Sequence, residues 1–270
     1  MIDYTTCLVA HIDVMGFKAL LKDNNGSRDK LSKYFEAAKK FVQTKNSIYS
    51  TSALEDNFKA MFVSDSIILS VEIDKNNPEK YLVIGRFFST ITSLQNELAM
   101  KEKIWTRGAV SIGLLSMNVQ ENILVGQAFV DAYNLEVKAN YPRVIIDPKV
   151  ISYFGDTSNE FIRKVEQEYE GLSLIGVHNS NRTGHIQFKT DAVMIDWFNY
   201  SMRVEDNLEP FFADLKERMG ADFELFQKGN ALVSYLWESY CRLRFPDGHT
   251  DLVGRYSSLR EVGNMIEGLI

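Results

Sequence analysis

Cysteine is nearly absent from this sequence. Its two copies, Cys7 and Cys241, each sit in an apolar setting and stand at no spacing that suits a metal site or a disulfide. They read as buried thiols of a reducing compartment. Histidine is also sparse: His11, His178, His185 and His249 form no cluster, which argues against a histidine-based metal site. Basic residues do not outnumber acidic ones. With 30 Lys and Arg against 36 Asp and Glu, the formal net charge of −6 argues against a general binder of nucleic-acid polymers. No apolar run approaches the roughly 20 residues of a membrane span. The opening MIDYTTCLVAHID has an early Asp and no basic stretch, so no secretory signal is expected there, and the protein is expected in the cytoplasm without membrane association. Internal repeats and low-complexity segments are missing as well.

What is present is ordinary globular material, 45% hydrophobic and 24% charged over 270 residues. Residues 5–13 read as a strand, and 28–44 as a helix with Leu31, Tyr34, Phe35, Ala38 and Phe41 or Val42 at helical spacing. NFKAMFVSDSIILSVEI, residues 57–73, reads as a hairpin turning at SDS. A helix follows over 79–102, then a strand in IWTRGAVSIGLLSM, a helix opening after Gly126, and the short strand RVIIDP stopped by Pro148. The order β-α-β-β-α-β-α-β predicts an α+β fold, a ferredoxin-like βαββαβ core with helices on one face of the sheet. Residues 1–150 are expected to form that core. Residues 151–270 are expected to form a C-terminal extension packed on it, helical over 157–169, strand-rich over 172–198 and mostly helical over 206–244.

Two carboxylates occupy unusual places in this pattern. Asp13 closes the first apolar strand, in HIDVMGF, and Asp65 sits in the hairpin turn, in FVSDSII. A carboxylate that loses water needs a partner. In a βαββαβ sheet the first strand is central and the hairpin strand lies beside it, so both carboxylates could converge on one edge. That arrangement suits hard divalent cations completed by phosphate oxygens. The turn after Asp13 leads into a helix-like stretch, so its backbone N–H groups could face a triphosphate, with Gly16 permitting close approach. Each residue also has a plain reading: Asp65 as ordinary turn chemistry and Asp13 as a helix N-cap.

A third element joins them. RGAVSIG, residues 107–113, is followed by GQAFVDAYNLE, residues 126–136. With DVMGF and SDS, this ordered set resembles the class III nucleotidyl cyclases over residues 5 to about 147. The resemblance implies a class III cyclase-like fold, with Asp13 and Asp65 as ligands of two Mn²⁺ or Mg²⁺ ions and the Val14 carbonyl as a further ligand. It also implies that the backbone of Met15, Gly16, Phe17 and Lys18 holds the β- and γ-phosphates.

The departures from that family are specific. The position that reads a purine, four residues before the second Asp, is Met61; its partner position is Ile123. The Asn and Arg that hold ribose and phosphate fall at Val130 and Asn134. DVMGF, SDS, RGA and AYNLE…YPR resemble a narrower group, the bacterial pyrimidine cyclases of the Pycsar anti-phage system. That resemblance implies UTP or CTP as substrate, with UTP favoured, and a homodimer sharing its active sites. It further implies a cyclic-nucleotide product sensed by a separate effector protein.

Other residues carry a choice. Arg107 sits in an apolar strand, where a triphosphate or an acidic side chain would serve as its partner. Gln127, Asp131, Asn134 and Lys138 form one polar stripe of a helix, either a solvated face or a surface that brings Asn134 and Lys138 to substrate across a dimer. Arg143, in YPRV, is a further phosphate candidate. Tyr49 and Tyr133 could contact a base, or serve as core or interface residues. The competing function is a catalytically silent cyclase-like homodimer that binds a nucleotide or a partner protein.

Overall fold

The computed structural model describes residues 3–17, 27–50, 58–139, 141–169, 172–177, 192–205, 207–221, 232–233, 235–237, 239–240 and 256–269. Strand β1 spans Thr5–Val14, followed by helix α1 (Ser27–Ser50) and the hairpin β2 (Lys59–Val63) and β3 (Ser66–Glu72). Helix α2 (Lys80–Asn96) runs into a π-helical turn, Glu97–Lys101. Then come β4 (Thr106–Asn118), β5 (Ile123–Val125), α3 (Gln127–Glu136) and β6 (Val144–Ile146). The rest contributes α4 (Pro148–Phe154), α5 (Ser158–Glu168), β7 (Leu174–Val177), β8 (Ala192–Ile195), α6 (Trp197–Val204), α7 (Glu209–Ala221) and α8 (Tyr256–Glu267).

One mixed sheet runs β2-β3-β1-β4-β6-β8-β7, with β5 paired to β4 alone. Its first four strands are mutually antiparallel and have the order of a βαββαβ unit, so the fold is α+β with a ferredoxin-like core. β6 joins β4 in parallel, and β8 and β7 continue the same sheet. β1 is central and carries the alternation that organises both faces. Leu8, Ala10, Ile12 and Val14 face α1, α2 and α5, in a core with Tyr34, Ala38, Phe87, Phe88, Ile91 and Phe161. Fully burying each such aliphatic or aromatic side chain contributes about 1.5–3 kcal/mol. Cys7 and Val9 point to the opposite face, with Met61, Ile68, Leu115, Met117 and Ala128.

That opposite face corrects the expectation of helices on one side only. α3 packs there, through Ala128 on Cys7 and Val9 and through Leu135 on Ala109 and Ile145. The strand ends before Pro148 as expected, and a helix not foreseen in the sequence, Pro148–Phe154, starts there. Proline needs no N–H at the first helical position, and Asp147 caps the turn by accepting from Lys149 N–H. Trp197–Val204 is a helix capped by Asp196, so the strand-rich stretch ends before it. A second core gathers Trp105, Tyr141, Trp197, Phe198, Phe211, Phe212, Tyr235 and Leu236 under the C-terminal helices. Asp196 is fully buried within it, but its carboxylate accepts from Tyr235 (2.9 Å), Ser239 (2.7 Å) and Ser173 (3.3 Å). This is how a buried charge is compensated. Among the described residues, no helix is long and apolar enough to cross a membrane.

Candidate active site

The end of β1 collects the chemistry. Registers across the sheet put Ser66 of β3 and Arg107 of β4 on either side of Asp13, and Ile68 and Ala109 on either side of His11. Residues opposite one another share a face, so Asp13, Ser66, Arg107 and His11 all point to the α3 side. β4 approaches β1 closely beside them: a Cβ on Gly108 would lie 2.5 Å from the His11 carbonyl oxygen.

Asp65 reaches the same place from the hairpin turn. Ser64 takes a left-handed φ of 57°, which reverses the chain in two residues. The Tyr34 hydroxyl of α1, almost fully buried, donates to the Asp65 carbonyl at 2.9 Å and fixes the turn from behind. The Asp65 carboxyl then stands close enough to Asp13 for a hydrogen bond between the two groups. Ser66 Oγ donates to Asp13 Oδ1 at 3.2 Å. Burial, then the charge of Asp65, then that of Glu136, push the Asp13 carboxyl up to about 6. Burial and the two aspartates also push the Tyr34 phenol up.

Glu136, which the sequence reading passed over, completes the group. It is nearly buried at the end of α3 and holds Arg107 Nε at 2.5 Å. Of the two partners expected for Arg107, the acidic side chain is the one in place. Burial raises Glu136, and the Arg107 guanidinium opposes that shift. The available signal was helical spacing: α3 buries Ala128, Ala132, Leu135 and Glu136, so Glu136 falls on the apolar stripe. His11 is buried edge-on to Tyr133, 5.2 Å between ring centres, and burial lowers its imidazole to about 4.

Met15 N–H donates to the Trp105 carbonyl at 2.8 Å, so β1 pairs with β4 until the turn begins. Strand alternation then directs the Val14 carbonyl to the β3 side, where Asp65 lies. Gly16 is exposed with φ of 78°, a conformation that disfavours any side chain. Phe17 packs against the main core. Lys18 lies outside the described residues, and Tyr49 is described only as backbone of α1.

The remaining candidates separate. Met61 is buried in the same cross-strand row as Ile68 and His11. Asn134 and Lys138 are exposed, flanked by Val130, Tyr133 and Val137, each about half exposed. Arg143 departs from its expected phosphate role. It is fully buried, lies 4.1 Å over the Tyr141 ring and donates Nη1–H to the Tyr141 hydroxyl. Tyr141 belongs to the C-terminal core, so this guanidinium faces that core and not the carboxylates.

Asp13, Asp65 and the Val14 carbonyl form an oxygen-only donor set suited to Mg²⁺ or Mn²⁺. Among the described residues no three His, Cys, Asp or Glu side chains assemble as a metal cage, so substrate and solvent oxygens would have to complete the shells.

No protein-family model matches the chain, and no curated protein matches it. Solved structures do. The adenylyl cyclase CyaB from P. aeruginosa is 13% identical, with a TM-score of 0.43 over 72% of this chain and 95% of that one. A dimeric guanylyl cyclase domain of the RhoGC fusion protein from the aquatic fungus Blastocladiella emersonii is 11% identical, with a TM-score of 0.46 over 72% and 97%. The guanylate cyclase domain of RhGC from Catenaria anguillulae, in complex with GTP, is 10% identical, with a TM-score of 0.40 over 72% and 96%. Likenesses this distant carry no weight for the reaction, which has to be argued from the side chains.

Proposed function

We propose that the protein is a nucleotidyl cyclase that converts a pyrimidine ribonucleoside triphosphate, UTP in preference to CTP, to its 3′,5′-cyclic monophosphate. The observation that carries this reading is the convergence of Asp13 and Asp65 at the end of β1, beside a turn at Gly16 with a left-handed φ. In the reaction the ribose 3′-oxygen bonds to the α-phosphorus, the bond from that phosphorus to the β-phosphate oxygen breaks, and pyrophosphate leaves. The hydroxyl proton goes to solvent or to a phosphate oxygen. Two divalent ions on Asp13, Asp65 and the Val14 carbonyl would acidify the hydroxyl and offset the leaving group's charge. The chain's own residues do the positioning. Backbone N–H groups of Gly16 and Phe17 hold the β- and γ-phosphates, Met15 sets their place because its own N–H is bound to the Trp105 carbonyl, and Lys18 adds charge there. Arg107 presents to the triphosphate whatever part of its fork Glu136 does not occupy.

The pyrimidine preference rests on the sequence motifs and on chemistry. Met61 and Ile123 offer a purine edge no polar partner at the two reading positions. A site discriminates strongly only where it hydrogen-bonds its substrate. Tyr49 and Arg143 remain candidates from the motif alone; the burial of Arg143 gives it a supporting place in that scheme at most. The exposed face of α3 supports a homodimer. Val130, Tyr133 and Val137 repeat at helical spacing and stay about half exposed beside Asn134 and Lys138. A second copy covering that stripe would bring Asn134 to the partner's carboxylates. The cyclic product would act as a second messenger on a separate effector in anti-phage defence.

Incubation with each of the four triphosphates and Mn²⁺, followed by mass spectrometry, tests this. Cyclic UMP is expected. Cyclic AMP or cyclic GMP as the main product overturns the base argument. Two features favour the silent-homodimer reading: Val130 is apolar where the family carries its Asn, and Arg107 is already paired. Absence of product from every triphosphate would select it.

A further inference from the structure

Among the described residues, the C-terminal third reaches the phosphate turn through Trp105 and through the Met15 side chain. Arg218 of α7 lies with its guanidinium 4.4 Å from the centre of the Trp105 ring. Its Nη2 donates to the Lys103 carbonyl at 2.6 Å, and its Nε pairs with Asp214 one turn back at 2.8 Å. One planar fork thus holds both ends of the short connection from the π-helical turn into β4. That connection needs holding, because Lys103 takes a left-handed φ of 54°, which is unfavourable for a lysine. The Trp105 indole N–H is buried without a partner among the described residues, so no hydrogen bond of its own fixes the ring. On the other side, the Trp105 carbonyl accepts the Met15 N–H at 2.8 Å, and the Met15 side chain packs on the C-terminal core that Trp105 belongs to.

We propose that Arg218 is a positioning residue for the Met15–Gly16–Phe17 turn, acting through Trp105. The proposal rests on reading that turn as the cradle of a triphosphate. The guanidinium clamps the indole, the indole's backbone sets the height of Met15, and Met15 sets where the N–H groups of Gly16 and Phe17 point. Gly16 has no side chain to limit its motion, so its direction is inherited from the residue before it. The carboxylates lie outside this chain of contacts: Asp13 is held by the β1 ladder and Ser66, and the Asp65 turn by Tyr34. Loss of Arg218 should therefore separate phosphate binding from metal binding, which loss of general stability would not do.

The experiment uses the full chain and two inorganic probes. Binding of Mn²⁺ alone is followed by electron paramagnetic resonance, and binding of tripolyphosphate at saturating Mn²⁺ by calorimetry. Arg218→Met, which keeps side-chain bulk over Trp105 but removes the fork, should weaken tripolyphosphate about tenfold and leave Mn²⁺ affinity unchanged. Arg218→Lys, which keeps the cation over the ring, should recover part of that loss. Equal tripolyphosphate affinity in wild type and Arg218→Met overturns the role of Arg218 alone. Parallel loss of Mn²⁺ and tripolyphosphate binding in both variants also overturns it, because the residue would then be a general support. Failure of the wild type to bind either probe overturns the reading of the site beneath it.

Discussion

Arg107 stands directly across the β1–β4 ladder from Asp13, yet its guanidinium turns to Glu136, 2.5 Å away on α3. The Arg107 guanidinium is thus engaged by Glu136, while burial and the Asp65 charge raise the Asp13 carboxyl. The chemistry assigned to this site follows from that arrangement.

Removing Asp13 should separate stability from activity. Its carboxyl is raised from 3.8 to about 6, chiefly by burial and then by Asp65, so the native state holds this proton more tightly than the unfolded chain. Stability is then lost as pH rises from about 4 to about 6, and the cost persists at neutral pH. With screening discounted, it amounts to about 1–2 kcal/mol. Asp13→Asn is expected to melt no lower than wild type in metal-free buffer at pH 7.5, and to form no cyclic product. A clear drop in melting temperature would show that Asp13 supports the fold instead.

The same shift governs metal binding. A divalent cation needs both carboxylates ionised, so binding expels the Asp13 proton. Calorimetric titration of Mn²⁺ in two buffers of different ionisation heat should give release of about half a proton at pH 6 and almost none at pH 8. Equal release at both pH values would place the raised carboxyl elsewhere.

Glu136 is predicted to matter through Arg107. Breaking a buried pair by removing one partner costs about 3–5 kcal/mol. Arg107 keeps some contact with solvent, so Glu136→Ala should destabilise by roughly 2–3 kcal/mol, and Glu136→Gln by less. Urea unfolding of both variants and of Arg107→Met, with the double variant to close the cycle, measures the coupling. A coupling energy near zero would mean that the two side chains are neighbours without being partners.

His11 gives an opposite pH signature. Burial lowers its imidazole from 6.5 to about 4, so the unfolded chain binds this proton first. The stability it contributes is fully present above pH 6.5 and is lost as pH falls towards 4, by up to about 3 kcal/mol. In that window protonation of Asp13 works the other way. His11→Asn should therefore flatten the acid loss of stability between pH 6.5 and 4, measured by urea unfolding at each pH. An unchanged slope would assign the acid loss to another group.

The face of α3 tests assembly. Tyr133→Asp together with Val137→Asp adds charge to residues that are half exposed in the single chain. Light scattering is expected to show a dimer for wild type and a monomer for the variant, with turnover lost and the melting temperature within a few degrees. A monomeric wild type that still cyclises nucleotide would remove the shared-site scheme.

What could be read beforehand followed local periodicity. β1, the SDS hairpin, β4 and α2 are long and strongly patterned, and their apolar spacing alone marks them. α4 was hidden because Pro148 looks like a stop until Asp147 is recognised as its cap. α6 was obscured because its apolar residues directly follow the apolar run of β8. In the candidate site, Asp13 and Asp65 were legible as charges inside apolar runs. Glu136 was not, because a carboxylate near a helix end reads as solvated until β4 is known to pass beneath it. The surroundings of Arg143 were hidden for the converse reason. Its motif neighbours mark it as a binding residue, but its burial is decided by Tyr141 and the C-terminal helices, which no short spacing reveals.

The central position of β1 bears on how the chain is made. This strand leaves the ribosome before both of its neighbours, which end only at Glu72 and Asn118. At about 5–20 residues per second, roughly 5–20 s separate its synthesis from that of the last residue of β4. Throughout that interval CLVAHIDV has at most one pairing partner and exposes apolar surface. Nascent chains halted before β4 should therefore bind holding chaperones and aggregate readily, and chains halted just after it should not.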